Sequence, residues 1–280
     1  MKVGKYSVDF LETGTFALDG GAMFGVVPKP LWEKTNPSDN ANRITLGARC
    51  LLLQRSGKKI LVDTGLGENW DEKFTNIYAV DQKNSSLVTS IGNFGLTPDD
   101  ITDVIITHLH FDHTGGSTKL YNGKMIPAFP NAEYHIQRKH FEWASKPSFK
   151  DKASFVKDRF VPLMEEGVLR LHDGNEFDDG ISFEVMNGHS FSMQMVKIFD
   201  SSKTLLYCAD LIPTSSHIPL PYIMGYDLQP LITLEEKKKI LPKAVEEEWI
   251  LLFEHDPEIL GATVSMSEKG FKVKEKFTEL

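Results

Sequence analysis

Cysteine is nearly missing from this chain: Cys50 and Cys208 are the two among 280 residues, each inside an apolar run. That argues against a disulfide framework and predicts two buried thiols in a reducing compartment. A basic excess is missing too. Lys and Arg number 31 against 39 Asp and Glu, a formal charge of -8, so no basic face is expected for a nucleic-acid backbone. No stretch approaches the ~20 apolar residues of a membrane span, and no membrane partner is expected. Met1-Lys2-Val3-Gly4-Lys5-Tyr6 lacks the apolar core of a signal peptide, which makes a cytoplasmic location the expectation. A hydrophobic share of 41% and a charged share of 25% are those of a soluble globular protein with a sizeable core.

What is present is concentrated in one stretch. Val104-Ile105-Ile106 predicts a short buried strand. It runs into Thr107-His108-Leu109-His110-Phe111-Asp112-His113-Thr114-Gly115-Gly116, whose glycines let the backbone turn sharply. One histidine behind a strand is ordinarily a satisfied polar residue. Three histidines and an aspartate within six residues would repel or go unsatisfied in a folded protein without a cation among them. The stretch therefore predicts a metal site. Imidazole and carboxylate donors without thiolate favour zinc, with iron(II) or manganese as the other readings.

Along the rest of the chain, residues 3–27 predict a strand, a glycine-rich loop and a return. Met23 and Phe24 at the loop tip read either as core anchors or as a pocket wall. Residues 44–53 and 58–62 predict two strands joined at Ser56-Gly57, the second ending in Asp63-Thr64-Gly65. Asp63 is there a turn-former or a carboxylate that orients a metal-bound histidine. Further strands are predicted at 131–136, 182–186, 193–199, 204–207 and 250–253. Helices are predicted at 137–143, 155–166 and 234–249, the last kinked by Pro242, with its Glu and Lys runs on a solvated face. His135, His140 and His172 read as surface or core-edge residues. His189 occupies a turn between two strands, and Glu254-His255-Asp256 follows another. Thr204-Leu205-Leu206-Tyr207-Cys208-Ala209-Asp210 repeats the plan of residues 59–63, a strand ending in aspartate, which hints at duplicated halves. The tract 212–230, rich in proline and aromatic residues, predicts a long functional loop.

His108, His110, Asp112, His113, His189, Asp210 and His255 thus stand at strand-end turns, where a site along a sheet edge would collect them. On the motif of residues 107–116 and the later order His189, Asp210, His255, the sequence resembles the metallo-β-lactamase fold superfamily of metal-dependent hydrolases. The resemblance covers nearly the whole chain, from Asp63 to His255. It implies an α/β (α+β) fold, a four-layer αββα sandwich formed as a single domain over residues 1–280. It also implies two divalent metal ions, one held by His108, His110 and His189, the other by Asp112, His113 and His255. Asp210 and a water or hydroxide would bridge them. Asp112 and Asp210 are then the catalytic carboxylates, Asp112 moving a proton while the bridging hydroxide attacks the substrate. Residues 210–230 are similar to the subgroup of acyl-homoserine lactonases and methyl parathion hydrolase. One lactonase pattern has a tyrosine three residues after the bridging aspartate; Pro213 stands there instead. Tyr222 or Tyr226 is left as the substitute, with His217 as a further pocket candidate.

The leading expectation is hydrolysis of a small uncharged ester, a lactone of the acyl-homoserine type first. Met23, Phe24 and the 212–230 loop would suit an acyl chain. A phosphotriester hydrolase shares the metal chemistry and is the alternative. From another class, a mononuclear iron sulfur dioxygenase would not need the second set of Asp112, His113 and His255. A closed structural zinc site would not use seven ligands. The partner is a small molecule, and a homodimer is compatible with this reading.

Overall fold

The apolar run ahead of the histidine motif forms a short strand in the interior of a sheet, and that sheet positions four of the seven candidate ligands. The computed structural model describes residues 1–279. In chain order it begins with β1 (Lys2–Val3), β2 (Tyr6–Asp19), α1 (Gly20–Phe24), α2 (Lys29–Trp32), β3 (Arg43–Arg55) and β4 (Lys58–Val62). Next come α3 (Glu72–Ile77), α4 (Leu87–Gly92), β5 (Asp103–Ile105), α5 (Phe111–Thr114), β6 (Thr118–Tyr121), β7 (Lys124–Pro127) and β8 (Glu133–Gln137). The chain continues through α6 (Arg138–Ser145), α7 (Val161–Glu165), β9 (Leu169–His172), β10 (Glu176–Asp178), β11 (Ile181–Met186) and β12 (Met193–Phe199). It ends with β13 (Thr204–Tyr207), α8 (Pro230–Glu246), β14 (Ile250–Leu252), β15 (Gly261–Ser267) and β16 (Gly270–Phe277). Two compact units result, residues 1–14 with 48–175, and residues 15–47 with 176 onward.

One seven-stranded sheet has the order β1-β2-β3-β4-β5-β8-β9. β4, β5, β8 and β9 pair in parallel, and β3 joins β4 antiparallel. Parallel strands are covered on both faces, which is why β4 and β5 read as continuous apolar runs rather than alternating ones. Ile60, Leu61, Val62, Val104 and Ile105 are all fully buried. Leu52, Leu61, Val104, Ile106, Tyr134, Ile136 and Phe160 belong to the core of this unit.

The second sheet runs β10-β11-β12-β13-β14-β15-β16. Its one parallel pair, β13 with β14, is joined through the crossover containing α8, as a parallel connection requires. Met193, Met195, Leu206, Leu241, Leu251 and Phe253 form its core. The duplicated strand plan extends to pairing: β4 and β13 each have an antiparallel neighbour on one side and a parallel one on the other.

Several expectations need correction. The return expected within residues 3–27 is not a strand there, because Asp19 accepts the Ala22 N–H at 2.8 Å and starts α1; the strand beside β2 in the sheet is β3. The helix expected over 155–166 is a 3-10 turn, Lys157–Arg159, followed by α7. Phe160 at φ -141 breaks it, and Pro162 is accommodated in the first turn of the second piece. Helix α8 begins earlier than expected, with Pro230 at its start, and contains Pro242. Its charged run is not wholly a solvated face, since Glu236 and Lys237 are both buried.

Candidate metal centre

In the first unit the ligands are set by a carboxylate in a strained position. Asp63, directly after β4, has φ 60, a left-handed conformation that costs a non-glycine residue about 1–2 kcal/mol. There it accepts the Thr107 N–H at Oδ1 and the Thr107 hydroxyl at Oδ2, both at 2.7 Å. His113 Nδ1 donates to the same Oδ2 at 3.1 Å. Thr107, its proton given to Asp63, accepts from His108 Nδ1 at 3.1 Å. Donor–acceptor balance thus fixes both imidazoles with the proton on Nδ1 and a lone pair on Nε2. His108 Nε2 faces His110 Nδ1 at 3.0 Å, and His113 Nε2 faces Asp112 Oδ2 at 3.8 Å. All four residues are buried.

Tight backbone packing holds this motif. A Cβ on Gly116 would lie 2.4 Å from the Thr64 carbonyl oxygen, and one on Gly67 would lie 2.1 Å from that of Gly115. Two side chains from outside the motif support it, and sequence reasoning missed both. His140, expected at the surface or core edge, is fully buried and its Nε2 accepts the Leu109 N–H at 2.9 Å, between two ligand positions. Arg159 donates to the carbonyls of Gly115 at 3.1 Å and Glu68 at 2.6 Å while lying 4.2 Å over the Trp70 ring. Beside Asp112, Phe111 packs with Phe74 at 5.1 Å and with Tyr78 at 4.8 Å, and Trp70 stacks on Phe74 at 3.9 Å. Burial, and then the Asp112 charge, push the Tyr78 phenol above its ordinary pKa. His135 does not join the ligands: it pairs with Asp103 at 3.1 Å and with His172 at 3.0 Å.

In the second unit the arrangement centres on Asp210, in a 3-10 turn beyond β13 entered through Ala209 at φ 44. Its Oδ2 lies 3.1 Å from His189 Nε2 and its Oδ1 lies 3.2 Å from His255 Nε2. Each imidazole has committed its proton elsewhere. His189 Nδ1 donates to Asp227 Oδ1 at 2.9 Å, and His255 Nδ1 donates to the Gly47 carbonyl at 2.8 Å. Asp210 therefore presents one oxygen to each of two imidazole nitrogens whose ring partner Nδ1 is already bonded, an arrangement that a divalent cation can turn into coordination. All three residues are buried. This donor set, nitrogen and oxygen without sulfur, fits divalent metal ions.

Helix α8 organises the surroundings. The Thr233 hydroxyl donates to Asp227 Oδ2 at 2.8 Å, and Glu236 accepts the N–H groups of Asn187 at 2.6 Å and Gly188 at 3.1 Å, just ahead of His189. A Cβ on Gly188 would lie 2.3 Å from Thr233, which is why glycine stands there. Of the pocket candidates, Met23 and Phe24 are buried anchors, and Phe24 stacks on His217 at 4.6 Å. His217 donates from Nε2 to the Met23 carbonyl at 2.9 Å and accepts the Thr214 hydroxyl at Nδ1, 2.8 Å away. Burial pulls its pKa down to about 4. Both ring nitrogens are thereby committed to holding the loop. Tyr222 meets Phe24 edge-on at 6.0 Å, and Tyr226 is exposed.

A profile of the Metallo-beta-lactamase superfamily matches residues 44–256. An N-acyl homoserine lactonase of Bacillus cereus is 28% identical over 245 residues, covering 83% of this chain and 87% of the relative. A probable metal-dependent hydrolase from Staphylococcus aureus superposes with a TM-score of 0.90 at 29% identity, over 100% of this chain and 99% of that one. An N-acyl homoserine lactone hydrolase, solved with the product N-hexanoyl-L-homoserine at its catalytic metal centre, gives a TM-score of 0.69 at 25% identity, over 92% and 95%. The α/β fold class read from the motif is the one found. With its ligand order, its strand-end carboxylates and a profile match over more than half its length, the chain belongs to the metallo-β-lactamase superfamily.

Proposed function

We propose that this metal-dependent hydrolase opens a small lactone of the acyl-homoserine class within a single functional domain. His108, His110 and His189 would hold one divalent ion, Asp112, His113 and His255 the other, with Asp210 available to both. Zinc suits imidazole and carboxylate donors best, with iron(II) or manganese as the other candidates. The observation that carries the reading is Asp210, whose two oxygens each face the Nε2 of an imidazole already bonded through Nδ1. Two divalent ions bound there would acidify a water towards neutrality and polarise the ester carbonyl.

The remaining work falls to the chain. Asp63 and Asp227 hold His113 and His189 in the Nδ1–H form. Asp112 takes the proton released from the attacking water at a carboxylate oxygen and returns it to the departing alkoxide. The rings of Trp70, Phe74, Tyr78 and Phe111 offer an apolar surface beside Asp112 that suits an acyl chain. The lactonase relatives favour a lactone over a phosphotriester. Both cysteines are buried and unbridged, which suits a cytoplasmic enzyme.

The test is metal content per chain on protein purified without added metal, with assays on an N-acyl homoserine lactone and an aryl phosphotriester. Two equivalents of zinc or a similar ion and lactone turnover lost on chelation support the reading. Faster phosphotriester turnover would transfer it to the second substrate class. One iron per chain with neither substrate hydrolysed would overturn it.

A further inference from the structure

The segment between Asp210 and Asp227 starts and finishes on carboxylates that face His189. Beyond Leu211 its one regular piece, among the described residues, is the 3-10 turn Ser215–His217. Pro213, Pro219 and Pro221 have no backbone N–H to give to a strand ladder. One atom gathers three carbonyls of its middle, beside the bond from His217 to the Met23 carbonyl. Lys237 Nζ, on α8, donates to the carbonyls of His217 at 2.6 Å, Pro219 at 2.8 Å and Tyr222 at 2.9 Å. An ammonium has three protons and accepts nothing, so these three carbonyls satisfy it in full.

The residue is fully buried. Taking an ammonium out of water costs several kcal/mol, so a lysine without such partners would be replaced to advantage by an apolar residue of similar size. Burial draws Lys237 down to about 7, and the charge of Asp227 works against that fall. Thr233, Glu236 and Lys237 share one face of α8 by their spacing. They grip Asp227, the backbone before His189, and the middle of the segment in turn. None of the three is a candidate ligand.

From this geometry we infer that Lys237 is a positioning residue: its three carbonyl bonds hold the Asp210-to-Asp227 segment, Tyr222 included, in the form that receives substrate, while the metal ligands are held without it. The inference rests on the hydrolase reading for its substrate and on the three carbonyl bonds for its physics. It is tested with Lys237→Met, which removes the ammonium, and Lys237→Arg, which keeps a buried cation. For Lys237→Met, KM for an N-acyl homoserine lactone rises roughly tenfold or more while kcat stays within about threefold. Metal content per chain does not change. Chymotrypsin nicks after Tyr222 or Tyr226 roughly tenfold faster, because the segment opens more often. Lys237→Arg recovers most of both changes. A Lys237→Met enzyme with wild-type KM and nicking rate overturns the inference. So does a loss of metal or of kcat at constant KM, and so does failure of both variants to fold, which would make Lys237 a residue of general stability. Nicking needs no turnover, so a wild type inactive on lactones would sink the functional reading alone and leave this inference to be decided by proteolysis.

Discussion

The two units meet the same requirement by different routes. Each must keep an imidazole proton on Nδ1 so that Nε2 can bind a cation. The first unit does so within a few residues: Thr107 receives His108, Asp63 receives both Thr107 and His113, and the ligands follow one another along a single turn. The second unit draws His189, Asp210 and His255 from separate strand ends. It orients His189 through Asp227, 38 positions away, and His255 through the Gly47 carbonyl, 208 positions away. The difference shows what each unit depends on. The first is built by local backbone geometry, including a strained aspartate, whereas the second is built by packing among α8, the segment after Asp210 and the strand ends.

The sharpest way to break this comparison is Asp210→Asn. The amide keeps the shape and offers one oxygen where two are needed, so one of the two imidazole nitrogens faces an NH2 group that cannot bind a cation. Lactone turnover should fall roughly 10³-fold or more, since the variant no longer bridges. Metal per chain should fall with it, read by elemental analysis. Full metal occupancy with wild-type kcat would mean that the second unit contributes no bridging ligand.

Acid should next distinguish the units by stability. His217 is held at about 4 in the folded protein against 6.5 ordinarily. Between those values the unfolded chain binds more protons, so stability rises with pH and is lost as pH falls from 6.5 towards 4. Up to about 3 kcal/mol is at stake for this buried group. In the first unit, burial and then His135 lower His172, a half-buried group, in the same direction, for a smaller loss. Urea midpoints measured from pH 7 to 4 should drop steeply in the wild type and much less in His217→Gln. Parallel slopes would remove His217 as the cause.

These contrasts also explain what could be read from the amino-acid sequence. The candidate ligands of the first unit stand out because they are dense: His108, His110, Asp112 and His113 at such spacing call for a cation among them. The parallel strands β4, β5 and β14 were legible as well, because strands buried on both faces are unbroken apolar runs. Asp227, His140, Arg159 and Lys237 were not. Each acts on a backbone or ring atom brought near by tertiary packing, and each looks locally like an ordinary polar residue. Lys237 was even read into a solvated face, since a buried charge inside a charged run leaves no mark on the pattern.

Carboxylate support can be compared directly. Asp63 steadies two imidazoles, His113 itself and His108 through Thr107, whereas Asp227 steadies His189 alone. Asparagine tolerates the φ of 60 at position 63, so Asp63→Asn tests charge rather than strain. Both Asp63→Asn and Asp227→Asn should weaken metal binding by about 10–100-fold, with Asp63→Asn at the upper end. Chelator competition measures this, and equal losses would show that the relay through Thr107 carries nothing.

The smallest effect is expected from Glu236→Gln. The carboxylate accepts two N–H groups, from Asn187 and Gly188, with one oxygen for each. A glutamine has one oxygen, so one buried N–H loses its partner, at a cost of about 1–2 kcal/mol. Because Gly188 is pressed against Thr233, the turn cannot swing out to find water, and the loss should pass to His189 as a weaker hold on metal. The motif of the first unit should be untouched. A denaturation midpoint lowered with unchanged metal affinity would confine Glu236 to stability and leave Asp227 as the one support that reaches His189.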